Sequence, residues 1–314
     1  MVKKCPDGST SPRFRVLLTG HRGQVGRWLR GSLRSAGHTV VGFDIKEGDD
    51  VRDLERLAAA AETCDAIIHC AVLQWNWPGP ETVMREVNFL GARNALEAAR
   101  RAGHSRAVLF SSAQVFGVMQ GERLPASFPV RDSHPLLAER PYGRLKVEME
   151  REAEAFARDT GVKVFCPRPV AVLFPGAPAW IVRRWREGRL AELSPEWEYG
   201  AWVDVRDVGT GVLRALTVEL PQFSAAIMAA RDSAASRPIA DLLATGAPGV
   251  PIEDGWLEAR GPHAPAVDSA KARELLGWEP AYSWAVESRR SLPQRAWGRF
   301  RRIPTHGLRL SLRG

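Results

Sequence analysis

Over the first two-thirds of the chain, short apolar runs of β type alternate with helical patterns, and this alternation restricts the fold more than any other feature. Phe14–Thr19, His38–Phe43, Asp65–Cys70, Arg106–Phe110 and Val162–Cys166 read as strands. Between them Gln24–Ala36, Asp53–Glu62, Glu81–Arg101 and Pro141–Arg158 read as helices, the last with proline in its first turn. Consecutive strands joined through helices need crossover connections, which build a parallel sheet covered on both faces. Beyond Pro167 the pattern loosens and Pro, Gly and Trp become frequent. Trp202–Val205 and Ala225–Ala229 are candidates for two more strands, and Asp268–Leu276 for a short helix ending at Gly277.

The first strand runs into Thr19-Gly20-His21-Arg22-Gly23-Gln24-Val25-Gly26. Gly20 suits the tight strand-to-helix turn, Gly23 close approach to a pyrophosphate, and Gly26 close packing of helix on strand. The helix amides at Gln24 and Val25 then face phosphate oxygens. An acid, Asp44, closes the second strand, where a carboxylate accepts hydrogen bonds from an adenosine ribose and repels a 2′-phosphate. NAD is therefore expected over NADP, with Arg22 and Lys46 as counter-signals. Asp50 is a candidate acceptor for the adenine amino group and Val51 for packing on the ring; helix capping by Asp50 or Asp53 is the competing reading. The fold expected is α/β, a Rossmann-type doubly wound parallel sheet. Residues 13–168, completed by about 201–232, would bind the dinucleotide. A smaller discontinuous C-terminal region, 169–200 and 236–290, would bind substrate, followed by a basic tail at 291–314.

The net charge of +8 is concentrated in that tail. After Glu287 there is no acidic residue and there are eight arginines; the rest of the chain carries 36 basic and 36 acidic residues. No specific nucleic-acid partner is expected. No apolar run approaches the roughly 18 residues of a membrane span, and Met1–Arg15 lacks the apolar core of a secretory signal. Cys5, Cys64, Cys70 and Cys166 form no CxxC pair and no metal-ligand spacing with histidine, so no metal site is expected and a cytoplasmic setting is.

Tyr142 and Lys146 stand at i and i+4, on one helix face. A phenol has an ordinary pKa of about 10, and a neighbouring ammonium is expected to lower it toward the range useful for exchanging a proton with a carbinol. Ser112 lies after the fourth strand, at the sheet edge where ligands of open α/β folds sit, and is a candidate partner for the reacting oxygen or a cap on the strand end. No G-x-S-x-G elbow supports a serine hydrolase.

Together these segments resemble the extended short-chain dehydrogenase/reductase family, also called the NAD-dependent epimerase/dehydratase family, from about Phe14 to Trp284. The glycine loop is similar to its TGxxGxxG, His69-Cys70-Ala71 to its H-x-A, Val87–Ala92 to V-N-x-x-G-T, Ser111–Gly117 to S-S-x-x-V-Y-G, and Tyr142–Lys146 to YxxxK. Arg168-Pro169, Trp202–Val208 and Lys271–Pro280 resemble three further motifs. The resemblance implies Tyr142 as acid/base, Lys146 as its partner and Ser112 as third member. It implies a cofactor lining that includes Cys70, Ala71, Val72, Asn88, Pro169 and Val170, besides Tyr142 and Lys146.

Departures from the family narrow the activity. Sugar 4,6-dehydratases carry T-D-E where Ser112, Ala113 and Gln114 stand, and uronate decarboxylases a Glu at the Gln114 position, so both activities are disfavoured. The R-D pair of many nucleotide-sugar members is replaced by Gly200 and Ala201, and the asparagine often found after R-P is missing from Pro169-Val170-Ala171. Arg260 is a loose match to a second phosphate-gripping arginine, and Gln74, Trp75, Trp77, Ala113 and Gln114 are candidate substrate contacts. The expected activity is NAD-dependent epimerisation or dehydrogenation at a secondary carbinol of a sugar or nucleotide sugar. The alternative is a non-catalytic, redox-sensing dinucleotide binder. A homodimer is expected through the helices at Glu81–Arg101 and Pro141–Arg158, with the small residues Ala92, Ala95 and Ala99 allowing close approach.

Overall fold

The computed structural model describes residues 12–186 and 197–289. The 291–314 tail, Cys5 and residues 187–196 of the expected substrate region lie outside these. The first half alternates as expected: β1 (Arg15–Thr19), α1 (Gln24–Ser35), β2 (Thr39–Phe43), α2 (Leu54–Ala61), β3 (Ala66–His69), α3 (Glu81–Arg85), α4 (Gly91–Arg101), β4 (Arg106–Leu109), α5 (Pro141–Thr160) and β5 (Lys163–Pro169). A π-helical turn, Glu86–Leu90, joins α3 to α4, so the expected long helix is one run with a bulge in it. The chain continues with β6 (Ala171–Leu173), α6 (Ala177–Arg186), β7 (Trp202–Asp204), α7 (Val205–Thr217), β8 (Phe223–Met228), α8 (Ile239–Gly246), α9 (Trp256–Arg260), α10 (Ala270–Leu276) and α11 (Trp284–Glu287).

Six parallel strands form one sheet in the order β2-β1-β3-β4-β5-β8. The chain order reverses between β1 and β3, which opens a crevice at their carboxyl ends. Of the two late strands expected, β8 extends this sheet, while β7 pairs with β6 in a separate two-stranded sheet.

Period-two burial explains the layers. Val16 and Leu18 join one apolar cluster with Leu29 and Leu33 of α1 and Val208 and Val212 of α7. Leu17, between them, joins another cluster with Leu57 of α2, Ala95 of α4 and Met149 of α5. A strand buried on both faces needs helices on both, and each helix meets the need with one apolar stripe. Here one expectation fails: Ala92, Ala95 and Ala99 lie fully inside the subunit, in this second cluster, and are not free to face a partner chain. Their small size serves close packing of α4 on the sheet.

The C-terminal segments are stitched to the sheet through α7. The Asp207 carboxylate accepts the backbone N–H groups of Ala281 (2.9 Å) and Tyr282 (3.1 Å), and the Trp278 indole donates to the Asp207 carbonyl (3.0 Å). Two of the late motifs therefore meet in space as a structural joint. Arg206 bridges Asp204 (2.7 Å) and Glu287 (3.0 Å) beside it.

Candidate dinucleotide and catalytic site

The glycine loop lies at the β1–β3 crevice. Gly20 has φ +67°, and a Cβ there would come within 2.7 Å of the Ala71 backbone; a Cβ on Gly26 would strike the Gly20 carbonyl. The loop is therefore pressed against both the end of β3 and its own helix, as a backbone cradle requires. Gly23 caps α1 without a side-chain hydrogen bond, and the first turn holds no acid, which leaves the Gln24 and Val25 amides for an anion. These residues fit a dinucleotide pyrophosphate.

Asp44 is buried at the end of β2 and accepts the backbone N–H groups of Arg22 (2.8 Å) and Lys46 (3.0 Å). The Arg22 guanidinium turns instead to Glu47, at 3.1 Å. Of the two counter-signals for NADP, Arg22 is thus engaged elsewhere, and the carboxylate retains lone pairs for a ribose. Asp50 is gripped by Arg52 at 2.6 Å, which holds its carboxyl below the usual range, while Asp53 is the residue that caps α2. Val51 is buried against Gly91.

After β3, Cys70 donates its thiol to the Thr19 carbonyl (2.9 Å), and burial pushes that thiol up to about 12, so it is an inert neutral group. His69 joins β1 to β3 through Thr19 Oγ1 at 2.9 Å; burial pulls it down to about 3 and leaves it uncharged. Asn88, on the π-helical turn, accepts Leu73 N–H and donates to Leu73 C=O, both at 2.8 Å. It clamps the backbone next to Val72. Val170 is buried, its N–H on the Met228 carbonyl at 3.3 Å, directly after Pro169 ends β5.

Ser112, Tyr142 and Lys146 converge. Ser112 opens a 3₁₀ turn, Ala113–Phe116, by accepting the Gln114 N–H at 3.2 Å, and its hydroxyl lies near enough to the Tyr142 phenol to favour its ionised form. The capping reading of this serine holds. The first turn of α5 presses on that same turn, since a Cβ on Gly143 would lie 2.9 Å from the Gln114 carbonyl. Lys146, one helical turn on, is buried and donates to the Phe110 carbonyl at the end of β4. Burial pulls its ammonium down to about 8.

The expected lowering of the phenol is overturned here. Burial, with the Glu198 carboxyl nearby, pushes Tyr142 up to about 12, while the Lys146 ammonium is directed at Phe110. Desolvation of the phenolate outweighs a cation whose hydrogen bond goes elsewhere.

Two buried carboxyl residues, Glu150 and Glu198, were not isolated by spacing alone. Glu150 lies a further turn along α5 and receives the Ser111 hydroxyl and the Arg168 guanidinium (2.6 Å); Arg168 also reaches Asp132 (3.0 Å). This buried network ties the helix that carries Tyr142 and Lys146 to β5. Its position at Lys146 plus four was readable as a third polar residue on one stripe. Glu198, from the irregular stretch before β7, had no such signal.

Of the candidate substrate contacts, Ala113 is packed in the core and Gln114 is buried beside it. Gln74 is exposed, with its carbonyl accepting the Trp77 N–H (2.9 Å); Trp75 is half-buried and Trp77 is 37% exposed. Arg260 is exposed and stacks on Trp256 with 3.6 Å between its guanidinium carbon and the ring centroid.

The sequence profile of the NAD dependent epimerase/dehydratase family matches residues 16–223. The chain belongs to this family. Family members are NAD-dependent, in keeping with the cradle and Asp44. The chain is 31% identical over 179 residues to a UDP-glucose 4-epimerase of Vibrio cholerae, an alignment covering 52% of the chain and 53% of the relative. It is 32% identical over 146 residues to a uronate dehydrogenase of Pseudomonas syringae pv. tomato, covering 42% and 52%. The chain thus spans about half the length of the curated relatives it matches. A short-chain dehydrogenase/reductase superfamily protein of Agrobacterium tumefaciens, crystallised with bound NAD, shares the fold: TM-score 0.64, 23% identity, 92% of this chain and 98% of that one. Among the described residues there is no cluster of potential metal ligands, and no helix is long and apolar enough to cross a membrane.

Proposed function

We propose that this family member is an NAD-using epimerase or dehydrogenase acting at a secondary carbinol of a sugar or nucleotide sugar, with Tyr142 as acid/base. The observation that carries this reading is the convergence of Ser112, Tyr142 and Lys146 beyond the carboxyl end of β4, with the first turn of α5 packed on the turn that Ser112 opens and Lys146 buried on the Phe110 carbonyl. Gly20, Gly23, Gln24, Val25 and Gly26 hold the pyrophosphate, Asp44 the adenosine ribose, and Asn88 keeps the Val72–Leu73 backbone in place beneath the cofactor. NAD, when bound, supplies the hydride acceptor and, in its oxidised form, a cationic ring. Tyr142 takes the carbinol proton and returns it; Ser112 holds the reacting oxygen; Lys146 positions the nicotinamide ribose and supports the phenolate.

Residues 169–200 and 236–290 form the substrate side in this reading. Ala113 and Gln114 in place of two acids disfavour dehydration and decarboxylation. Three unpaired described cysteines accord with a reducing, cytoplasmic setting. A homodimer would pair the outer faces of α4 and α5, next to the π-helical turn whose last residue, Leu90, is 39% exposed; light scattering decides it.

The test is incubation of the full chain with NAD and, separately, UDP-galactose and galacturonate. Accumulating NADH identifies dehydrogenation, and interconversion of epimers without NADH identifies epimerisation. Failure of both probes, with NAD demonstrably bound, rejects the sugar reading.

A further inference from the structure

Arg22 is the cation of the glycine loop that stands next to Asp44, and its backbone is held on both sides. Its N–H donates to the Asp44 carboxylate (2.8 Å), and its carbonyl accepts Arg27 Nε (3.0 Å). A carboxylate at the end of β2 marks the adenosine ribose, so the Arg22 side chain starts beside the position where NAD and NADP differ. With the backbone held, side-chain rotation decides where the guanidinium goes. Arg22 Nη1 donates to Glu47 Oε1 at 3.1 Å.

An exposed ion pair by itself holds little, and both partners here are close to half exposed. The carboxylate, however, has a second and buried anchor. His21 Nε2 lies 2.9 Å from Glu47 Oε2, and the His21 side chain is 5% exposed. The Arg30 guanidinium, which has only donors, faces Nδ1 of the same ring at 3.4 Å, so the ring proton sits on Nε2 and is donated to Glu47. The ring is seated on β2, where a Cβ on Gly42 would lie 2.5 Å from His21 Nε2. The Glu47 backbone is placed by the acid that marks the ribose end. Asp44 caps the 3₁₀ turn Ile45–Glu47, its carboxylate taking the Lys46 N–H (3.0 Å) and its carbonyl the Glu47 N–H (2.8 Å). Asp44, Glu47 and His21 thus form one connected unit, and Arg22 is the group it holds.

We propose that Glu47 is a cofactor-discriminating residue: seated by His21, it draws the Arg22 guanidinium away from the 2′ position of the adenosine ribose, so that preference for NAD over NADP depends on Glu47 as well as on Asp44. A 2′-hydroxyl carries no charge and is indifferent to this latch. A 2′-phosphate meets the Asp44 carboxylate and finds the nearest guanidinium already engaged. The proposal rests on the reading of the glycine loop and Asp44 as the dinucleotide cradle. Glu47 belongs to none of the motifs behind the family resemblance.

The experiment measures binding of NAD and of NADP by calorimetry to the full chain, Glu47→Gln, Arg22→Ala and the double variant. Ionic strength is fixed, since exposed charges are screened by salt. Glu47→Gln keeps a carbonyl for His21 and loses the charge that draws Arg22. It should tighten NADP about tenfold, the low end for a charge-assisted hydrogen bond, and leave NAD unchanged. Adding Arg22→Ala should remove that gain to within about twofold, because the two side chains act as a pair. Arg22→Ala alone should hardly change NADP affinity, since Glu47 already holds the guanidinium. Lys46 is present in every variant, so the ratios between variants isolate Glu47 and Arg22.

An NADP:NAD affinity ratio that Glu47→Gln leaves unmoved overturns the proposal, and so does an equal gain in the Arg22→Ala background. A loss of NADP affinity of about tenfold in Arg22→Ala alone overturns it too, by showing that Arg22 already reaches the phosphate, and this arm does not need Glu47→Gln to fold. An unmodified chain that binds neither cofactor overturns the cradle reading together with the proposal. Retained NAD binding with an unmoved ratio overturns the role of Glu47 and leaves the cradle standing.

Discussion

The Lys146 ammonium lies 5.8 Å from the centroid of the Tyr142 ring and donates to the Phe110 carbonyl, with Met149 Sδ 3.9 Å away. The cation is anchored to the strand end rather than to the phenol. The two side chains share a helix face, yet the lysine is fixed by the backbone just beyond β4 and not by the phenol.

Tyr142→Phe keeps the ring and removes the proton carrier. General acid–base catalysis contributes about 10²–10⁴-fold, and turnover should fall by that much. NAD affinity, measured by fluorescence titration, should be unchanged, because the glycine loop and Asp44 hold the rest of the cofactor. Normal turnover would remove Tyr142 from the site.

Lys146→Met should abolish activity and raise stability. The ammonium falls from 10.5 to about 8 on folding, so the unfolded chain binds more protons between those values. The cost of the buried charge is full below about pH 8 and is relieved as pH rises toward 10.5. At 1.36 kcal/mol per unit this is about 3 kcal/mol, less about 1 kcal/mol for the lost bond to Phe110. Melting curves should show a gain near pH 7 that shrinks toward pH 10, and a gain that grows with pH would contradict the assignment.

Asp44→Ala should weaken NAD and narrow its advantage over NADP. The carboxylate is the group that opposes a 2′-phosphate, and its loss also leaves the Arg22 and Lys46 amides without their acceptor. Tighter binding of NADP than NAD by the unmodified chain would refute this reading of Asp44.

Gly26→Ala should cost NAD binding more than stability elsewhere in the sheet. The added methyl collides with the Gly20 carbonyl, which is backbone and cannot rotate away, so α1 must shift from the phosphate cradle. Retained affinity in a titration would show that the cradle is not where the pyrophosphate lies.

Arg260→Ala should discriminate between substrate classes. Its guanidinium rests on the Trp256 ring. If it grips a diphosphate, the substitution should raise KM for a nucleotide sugar about tenfold, a charge-assisted bond, and leave a free uronate unaffected. Equal effects on both would place Arg260 outside the substrate contacts.

What the sequence determined by itself was whatever is encoded within a turn or two of chain. Period-two burial in Val16, Leu17 and Leu18 dictated a strand covered on both faces, and glycines at 20, 23 and 26 a loop that only backbone can line. The i and i+4 spacing by itself puts Tyr142 and Lys146 on one face. Tertiary structure decided the rest, because it depends on which distant segments exclude water from which groups. Ala92, Ala95 and Ala99 read as a stripe for close approach of a partner, and the packing of α4 on the sheet puts them on the inner side. Asp44 and Arg22 were rival signals until Glu47 took the arginine. The direction in which Tyr142 titrates was invisible to spacing, since burial acts through three dimensions and here exceeds the pull of a nearby lysine. Glu198 is buried from an irregular segment with no periodicity, where the backbone turns left-handed at Glu198 and Tyr199.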